Sequence, residues 1–512
     1  MEKIYNKIKT IAELRNSAAD LKKKNKKIVH CHGVFDLVHP GHIRHLIAAK
    51  KEGDVLLVTL TADRFVKRGP GRPIFNENLR AESLAAIESI DFVCIDHNPT
   101  AVNAIKTIKP DVYVKGQEYE KKDKDLTGMI YDEEKAVQSA GGRLAFTHDI
   151  TFSSSELINN HLDVFLPETR RYLRNIARKY PIDKIVDMVN SAKKLKTLVI
   201  GDAIIDQYHY CIPMGKSTKE HLVAYRYVSE ESFAGGSLAT ANNVGSICQK
   251  VDLLTVLGEK DTFQDFIQSR LSRNVNPIFF YRPDTGTIIK RRFVSNGVNE
   301  VNRKLFEICY MKDDDIPRRE EVKIMRHLEK TIRNYDLVVV SDFGHGFLTK
   351  QIISLICSKA KYLALNVQTN SANIGFNLVT KYPRANCVCV DELELRYATH
   401  DKFGDLRTHA KKVYKELGCG YIIATRGSLG SLSYSKSGGF HETPALSYRV
   451  IDAVGAGDAF FAFVAPCFAA GLSQELVSFI GNAVGSLAVQ IVCNREPVNY
   501  VDLIKFMTRL LK

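Results

Sequence analysis

The chain has 512 residues, 45% of them hydrophobic and 25% charged, a composition that excludes a disordered chain and leads us to expect two to four domains at roughly 150 residues each. No stretch reaches the roughly 18 consecutive apolar residues of a membrane-spanning helix, and the polar start MEKIYNKIKT does not read as a secretory signal, so a cytoplasmic protein without membrane insertion is expected. The net charge of +14 is concentrated in residues 1–27 and 168–196, each with nine Lys/Arg against three Asp/Glu; no zinc finger or aromatic–basic stripe accompanies them, so nucleic acid is not the expected partner.

In chain order, residues 1–27 read as a basic helical extension, with Ile4, Ile8, Ile11 and Leu14 at helical spacing. From Ile28, short apolar runs alternate with amphipathic stretches. Ile28–Cys31, Val55–Thr59, Phe92–Ile95 and Val112–Val114 are predicted strands; Ile43–Lys50, Leu79–Ser89 and Ala101–Ile108 are predicted helices. This alternation implies a Rossmann-like α/β domain over 28–166, with a parallel sheet. Pro167 opens a basic helical linker, 167–196. A second α/β domain, 197–512, has strands at Thr197–Ile200, Leu337–Val340, Tyr362–Leu365, Cys387–Val390 and Tyr421–Ala424, and ends in helices Ala456–Ala470 and Leu472–Val492. The eleven cysteines form no CxxC pair; Cys387 and Cys389 alternate within an apolar run, as in a buried strand, and reduced thiols are expected. Ligands in such sheets bind beyond the carboxyl ends of the strands.

Directly after the first strand stands His32-Gly33-Val34-Phe35-Asp36-Leu37-Val38-His39-Pro40-Gly41-His42. Gly33 allows a tight turn, and Pro40 suits the first turn of a helix. His39 and His42, three apart, project from one side of that helix start, where free N–H groups and the positive dipole end seat a phosphate. Two imidazoles there can donate hydrogen bonds as charge gathers on the phosphate. A lone histidine would more simply cap the helix; the company of Gly33, Phe35, Asp36 and Gly41 favours the phosphate site. His45 continues the spacing, but no carboxylate or cysteine stands near it to complete a metal site. The segment resembles the cytidylyltransferase-like nucleotidyltransferases, whose signature joins G-x-F-D to H-x-G-H. The likeness continues through Arg72-Pro73-Ile74, Arg80 and Glu82, Val114-Lys115-Gly116, and Ser153-Ser154-Ser155 before Glu156. It implies that His39 and His42 stabilise the transition state, that Gly33, Phe35, Lys115, Ser153 and Ser154 meet nucleotide phosphate, and that Asp36 organises the loop. It also implies direct attack of a substrate phosphate on a nucleoside triphosphate, releasing pyrophosphate, with magnesium screening the charge.

The sharpest feature of the second domain is Ile451-Asp452-Ala453-Val454-Gly455-Ala456-Gly457-Asp458. Gly455 and Gly457 let the backbone approach a ligand, and an apolar helix follows, so the N–H groups of Gly455, Ala456 and Gly457 form an anion cradle. Asp458 then places a carboxylate where it can take a proton from an attacking hydroxyl. Alone, a G-x-G-D would read as a helix start with an Asp favoured by the dipole. Other pieces agree: Gly201-Asp202 through Asp206, Gly235-Gly236 ahead of Asn242 and Asn243, and Thr425-Arg426-Gly427-Ser428-Leu429-Gly430. The ensemble resembles the ribokinase-like sugar kinases over 197–512, implying an α/β sandwich with a small β lid. By that resemblance Asp458 is the base, Thr425, Gly427 and Gly430 form a nucleotide-phosphate loop, and Asp206, Gly235, Gly236 and Asn243 seat the sugar. Asp342 is a further substrate-side candidate. Lys290-Arg291-Arg292-Phe293 either meets an anionic sugar phosphate or forms an exposed charge cluster on a strand edge. Three positions depart from the pattern: Ala453 where a hydroxyl is common, Asn366-Val367-Gln368 where an acidic strand end is common, and Asp391 for Asn in an Asn-x-x-Glu pattern that keeps Glu394, an indirect contact to Mg2+.

Together the two domains resemble the bifunctional family of ADP-heptose synthesis, although the better-known order puts the kinase first. The resemblance implies an ATP-dependent heptose 7-phosphate kinase, a separate phosphatase, and a transferase joining the sugar 1-phosphate to a nucleotide. A homodimer paired through a lid within Tyr208–Ser232 is expected. H-x-G-H does not choose between ATP and CTP, so a CDP-polyol or CDP-sugar product stays open. The departures at Ala453 and Asp391 also leave open a kinase half that acts as a sugar-phosphate sensor or scaffold.

Overall fold

The apolar runs of the sequence become strands buried on both faces, as a parallel sheet between helices requires. The computed structural model of the chain describes residues 2–66, 72–120, 129–147, 165–297, 300–447 and 450–512. The chain divides into two units, Met1–Leu173 with Ile504–Lys512, and Arg174–Leu503.

In the first unit the described strands are β1 (Ile28–Gly33), β2 (Val55–Thr61), β3 (Phe92–Asp96), β4 (Val112–Gly116) and β5 (Arg143–Thr147). They form one parallel sheet in the order β3-β2-β1-β4-β5. Val29, Leu56, Val58, Leu84, Val93 and Val112 fill the core beside it. The order reverses between β1 and β4, so the connections leaving these two strands part and open a crevice at their carboxyl ends. Gly33–His42 leaves β1 at that point, and Lys115-Gly116 ends β4.

Two features of this unit differ from expectation. The single N-terminal helix is two, Glu2–Tyr5 and Ile11–Lys23, because Thr10 caps the second in a reciprocal capping box with Glu13. Between them Ile8 pairs with Val93: the Lys9 N–H donates to the Val93 carbonyl (2.8 Å) and the Val93 N–H to the Lys7 carbonyl (2.9 Å). The helix Met129–Ser139 and strand β5 were not anticipated.

The second unit contains β6 (Lys196–Gly201), β7 (Ala203–Lys216), β8 (Val223–Gly236), β9 (Lys250–Lys260), β10 (Val275–Gly286), β11 (Ile288–Gly297), β12 (Glu300–Tyr310), β13 (Leu337–Asp342), β14 (Leu363–Val367), β15 (Cys387–Asp391), β16 (Tyr421–Thr425), β17 (Ser431–Ser435) and β18 (Gly439–Thr443). Among the described residues nine of these make a sheet, β10-β9-β6-β13-β14-β15-β16-β17-β18, parallel except at β17 and β18. Its order reverses between β6 and β13. Cys387 and Cys389 are buried in β15, as read. The helices Ala456–Ala469 and Gln474–Ala488 are apolar nearly all round and accordingly buried.

The remaining strands form a second sheet, β12-β11-β7-β8. This is the lid, and half of it comes from Ile288–Tyr310, outside the Tyr208–Ser232 stretch expected to hold it. Strand β11 lies between β12 and β7, so the Lys290–Phe293 run is not on an edge. Helices Pro167–Lys179 and Ile182–Ser191 occupy the basic stretch between the two series of strands. No helix among the described residues is long and apolar enough to cross a membrane.

Candidate functional site

In the first unit, β1 ends in a turn where Phe35 takes a left-handed conformation (φ 51°), and a Cβ on Gly33 would press on the Phe35 ring at 3.0 Å. Asp36 reaches across the turn: its Oδ1 accepts the N–H of Ile74 (2.6 Å) and of Phe75 (3.4 Å). Arg80, fully buried, donates to the carbonyls of Val34, Thr61 and Phe75 and so ties both segments to the sheet.

His39 is the N-cap of the helix Pro40–Lys50, its Nδ1 accepting the Gly41 N–H at 3.1 Å. A neutral ring used in this way carries its proton on Nε2, which makes that atom a donor. The rings of His39 and His42 stack at 4.0 Å, and Phe35 meets His42 edge-on at 5.4 Å. Burial lowers the pKa of His39. Two imidazoles are thus stacked at a helix start beside a glycine turn. His45 turns elsewhere, to the Thr147 hydroxyl at 2.7 Å, and burial together with Lys115 lowers its pKa to about 4.

Lys115, at the end of β4, is almost enclosed. Burial opposes its charge, but Tyr113, Glu133 and Tyr119 outweigh that and raise its pKa well above the ordinary value. Its Nζ lies 2.8 Å from Glu133 Oε2. Glu133 sits on the unanticipated helix Met129–Ser139, and no sequence motif marks it. The serine turn at Ser153 and Ser154 lies outside the described residues.

In the second unit, Gly455 is left-handed (φ 81°) and caps the helix Ala456–Ala469; a Cβ there would strike Asn494 Oδ1 at 2.0 Å, whereas one on Gly457 would meet open space. The backbone at Gly457 is therefore approachable. Asp458 lies in the first helical turn, 7% exposed, and accepts a hydrogen bond on Oδ1 from the Gln368 amide. Burial pushes its pKa up to about 7; Asp206 adds to the rise, while Gln368 and Lys290 oppose it. The strand end where an acid was expected thus holds a neutral amide in contact with the Asp458 carboxylate.

Asp206 on β7 pairs with Arg292 at 2.5 Å, and Arg292 also holds Glu307 at 2.7 Å. A Cβ on Gly235 would lie 2.0 Å from Asp206 Oδ2, so only glycine leaves room for that carboxylate. Lys290 is buried opposite Asp206 in the β7–β11 register, its Nζ 5.7 Å from the Phe343 ring centre. Arg291 belongs to the other face of the lid and bonds Gln207 (3.0 Å) and the Tyr310 hydroxyl (3.1 Å). Strand alternation carries the signal that was missed: residues two apart share a face, so Lys290 goes with Arg292 rather than with Arg291.

The other predicted residues divide. Gly236 (φ 58°) opens the helix Ser237–Gly245. Thr425, Gly427 and Gly430 form a tight turn at the end of β16, closed by the Arg426 N–H on the Gly430 carbonyl (2.8 Å), and a Cβ on Gly427 would meet nothing. Glu394 accepts the N–H of Thr369 (2.9 Å) and of Asp391 (2.7 Å), and burial with Asp391 beside it raises its pKa to about 8. Asp342 is fully buried and engaged by Lys381 (2.6 Å), Tyr382 (2.7 Å) and the Gly344 N–H (2.9 Å). Asn243 spends its amide on the Ala239 carbonyl (2.9 Å) and the Val498 N–H (2.9 Å). Asp452, not anticipated, gathers Tyr208 (2.7 Å) and Lys304 (2.6 Å) just ahead of the glycines.

The family model for the pfkB family of carbohydrate kinases matches residues 194–496. The chain belongs to this family. A cytidylyltransferase-like model matches residues 30–160, the part that holds the stacked histidines. The bifunctional protein HldE of Aliarcobacter butzleri is 42% identical over 156 residues, 30% of this chain and 32% of that protein. HldE of Campylobacter jejuni is 49% identical over 110 residues, 21% of this chain and 23% of that protein. Each match therefore spans about a third or less of the relative's length. Among solved structures, phosphofructokinase-2 from Escherichia coli in complex with substrates and products superposes with a TM-score of 0.50 at 13% identity, covering 62% of this chain and all of that one, a likeness of fold. The pfkB match begins just ahead of β6 and extends past Asp458, so both ends of the candidate kinase site lie within it.

Proposed function

We propose that the chain is a bifunctional enzyme of nucleotide-sugar synthesis. The second unit moves the γ-phosphoryl of ATP onto a hydroxyl of a sugar phosphate of the heptose 7-phosphate kind. Asp206 orients the sugar, Asp458 takes the proton of the attacking hydroxyl, and the N–H groups of residues 455–457 hold the phosphoryl group in flight. After a separate phosphatase has removed the other phosphate, the first unit joins the sugar 1-phosphate to a nucleoside triphosphate and releases pyrophosphate. His39 and His42 stabilise the charge on the reacting phosphate, and no covalent intermediate is needed.

One observation carries the kinase reading: a carboxylate buried at a glycine-marked helix start, held near pH 7, where a general base works best. Magnesium enters with the triphosphate. Among the described residues no three His, Cys, Asp or Glu are arranged to hold a metal, and both oxygens of Glu394 are taken by backbone N–H groups. Glu394 therefore fits contact through water, the common way such ions are kept. We further propose a homodimer paired through the lid, where β12 exposes Phe306, Ile308 and Tyr310 at alternate positions; light scattering tests it.

The deciding experiment follows both products of the full-length protein across a panel of sugar phosphates with ATP and CTP. Asp458→Asn should abolish ADP formation and leave pyrophosphate release intact. His42→Ala should do the converse, with a loss of at least about tenfold. ADP formation that survives Asp458→Asn overturns the kinase assignment, and unchanged pyrophosphate release in His42→Ala overturns the other. Sugar-phosphate binding without any ADP formation by the unmodified protein favours the sensor reading.

A further inference from the structure

We infer that Gln368 is a positioning residue for the kinase reaction: its side-chain amide holds the Asp458 carboxylate by one oxygen and leaves the other to take the proton of the attacking hydroxyl. Gln368 directly follows β14, and Asp458 stands in the first turn of the helix Ala456–Ala469, 90 residues further along the chain. The pair is a product of the fold, not of a local motif.

The backbone at Gln368 is anchored on both sides. Its N–H donates to the Asp342 carbonyl at the end of β13 (2.8 Å), and its carbonyl accepts from the Asn377 amide (2.9 Å). The direction of its side-chain amide follows from a single acceptor. The Cys389 carbonyl of β15 can only accept, so the group of buried Asn366 that lies 2.8 Å from it is the NH2. Asn366 therefore presents its oxygen to Gln368, and the Gln368 atom 2.8 Å from that oxygen is in turn the amide nitrogen. The same nitrogen meets Asp458 Oδ1. One N–H of Gln368 goes to Asn366 and the other to the carboxylate, so the ends of β13, β14 and β15 together aim one donor at one oxygen of Asp458.

An amide suits this place because of its charge. It donates to Oδ1 whether Asp458 is ionised or protonated, so the contact survives the proton transfer, and it does not take the proton itself. A carboxylate there would share a proton with Asp458, and an ammonium would keep Asp458 ionised and make it a weaker base. The other groups that face Asp458 are Asp206 on β7 and Lys290 on β11, both from the lid, with Cys389 on β15 and Glu394 in the helix Glu392–Thr399. Burial raises the pKa of Asp458 to about 7, and the Gln368 bond is the largest influence against that rise.

This role rests on the kinase reading above, and the test separates the two. ADP formation by the full-length protein from ATP and heptose 7-phosphate is followed over about pH 5 to 10. The variants are Gln368→Met, which keeps the length of the side chain without its donors, and Gln368→Glu, which keeps its shape and adds a charge. In the unmodified protein kcat should rise through about pH 7. Loss of a hydrogen bond to a charged group should move that midpoint up by about one unit in Gln368→Met. At pH 7 kcat then falls about fivefold and is regained above about pH 9, with KM for both substrates unchanged. Gln368→Glu should move the midpoint further, because two carboxylates in contact do not ionise together. A midpoint unmoved in either folded variant, whatever the loss of rate, overturns the role, while an inactive Asp458→Asn leaves the kinase standing. If the unmodified protein forms no ADP, the kinase reading falls and the Asp458 carboxyl carbon, identified by its loss in Asp458→Asn, is titrated by NMR. A midpoint raised by about one unit in Gln368→Met keeps the hold of the amide on the carboxylate; an unmoved one overturns it.

Discussion

Gly235 illustrates how a residue without a side chain can position another, here the carboxylate proposed to orient the sugar. Any Cβ there would occupy the place of Asp206 Oδ2, so Gly235→Ala should displace the carboxylate and lower kinase kcat/KM between about 10- and 100-fold, as small misplacements at a reacting centre do. Melting should change little, and steady-state kinetics beside calorimetry checks both. Positions of this type were legible in the sequence. The glycines ahead of Asp458 and the helix opened by Pro40 each depend on a few neighbouring residues, whereas the left-handed backbone at Gly455 and the cap by His39, a role set aside in the sequence for a phosphate contact, come from the structure. Gln368 was legible only as a departure, because its contact with Asp458 joins residues 90 apart.

At the scale of elements, local pattern gave the central strands of the two large sheets, missed β5, β9, β10, β17 and β18, and failed where a role depends on another element. The helix Met129–Ser139 carries no motif, yet its Glu133 balances Lys115 of β4. Glu133→Ala would leave a buried ammonium unpaired, a loss on the order of 3–5 kcal/mol, and should abolish pyrophosphate release with a lowered melting temperature for the first unit. The double replacement Lys115→Met with Glu133→Leu should recover most of the melting temperature and none of the activity; calorimetry and a pyrophosphate assay distinguish the outcomes. The lid teaches a similar lesson. Reading Lys290 and Arg291 as a pair ignored the alternation of side chains along a strand, which turns Arg291 to the far face and brings Arg292 to Asp206. Half of the lid escaped notice because its strands come from two distant stretches, 203–236 and 288–310.

Across the whole molecule, the role proposed for Asp458 sets activity and stability against each other. As a base it must be ionised, so ADP formation should rise with pH through about 7. Its pKa is raised on folding above the unfolded value of about 3.9, so its contribution to stability is fully present below that value and is lost as pH rises through about 7. Asp458→Asn should therefore melt above the parent at pH 8, the difference closing as pH falls toward about 4; scans across pH read the sign directly. The first 27 residues, so basic that they pass for a loose tail, have a different bearing on any laboratory handling of the chain. Lys7 and Lys9 both bond to Val93 of the outermost strand in the first sheet. Trimming the gene to begin at Ile28 would expose that margin as a bare ribbon of unsatisfied amides, an invitation to aggregate, and an affinity handle is better fused elsewhere.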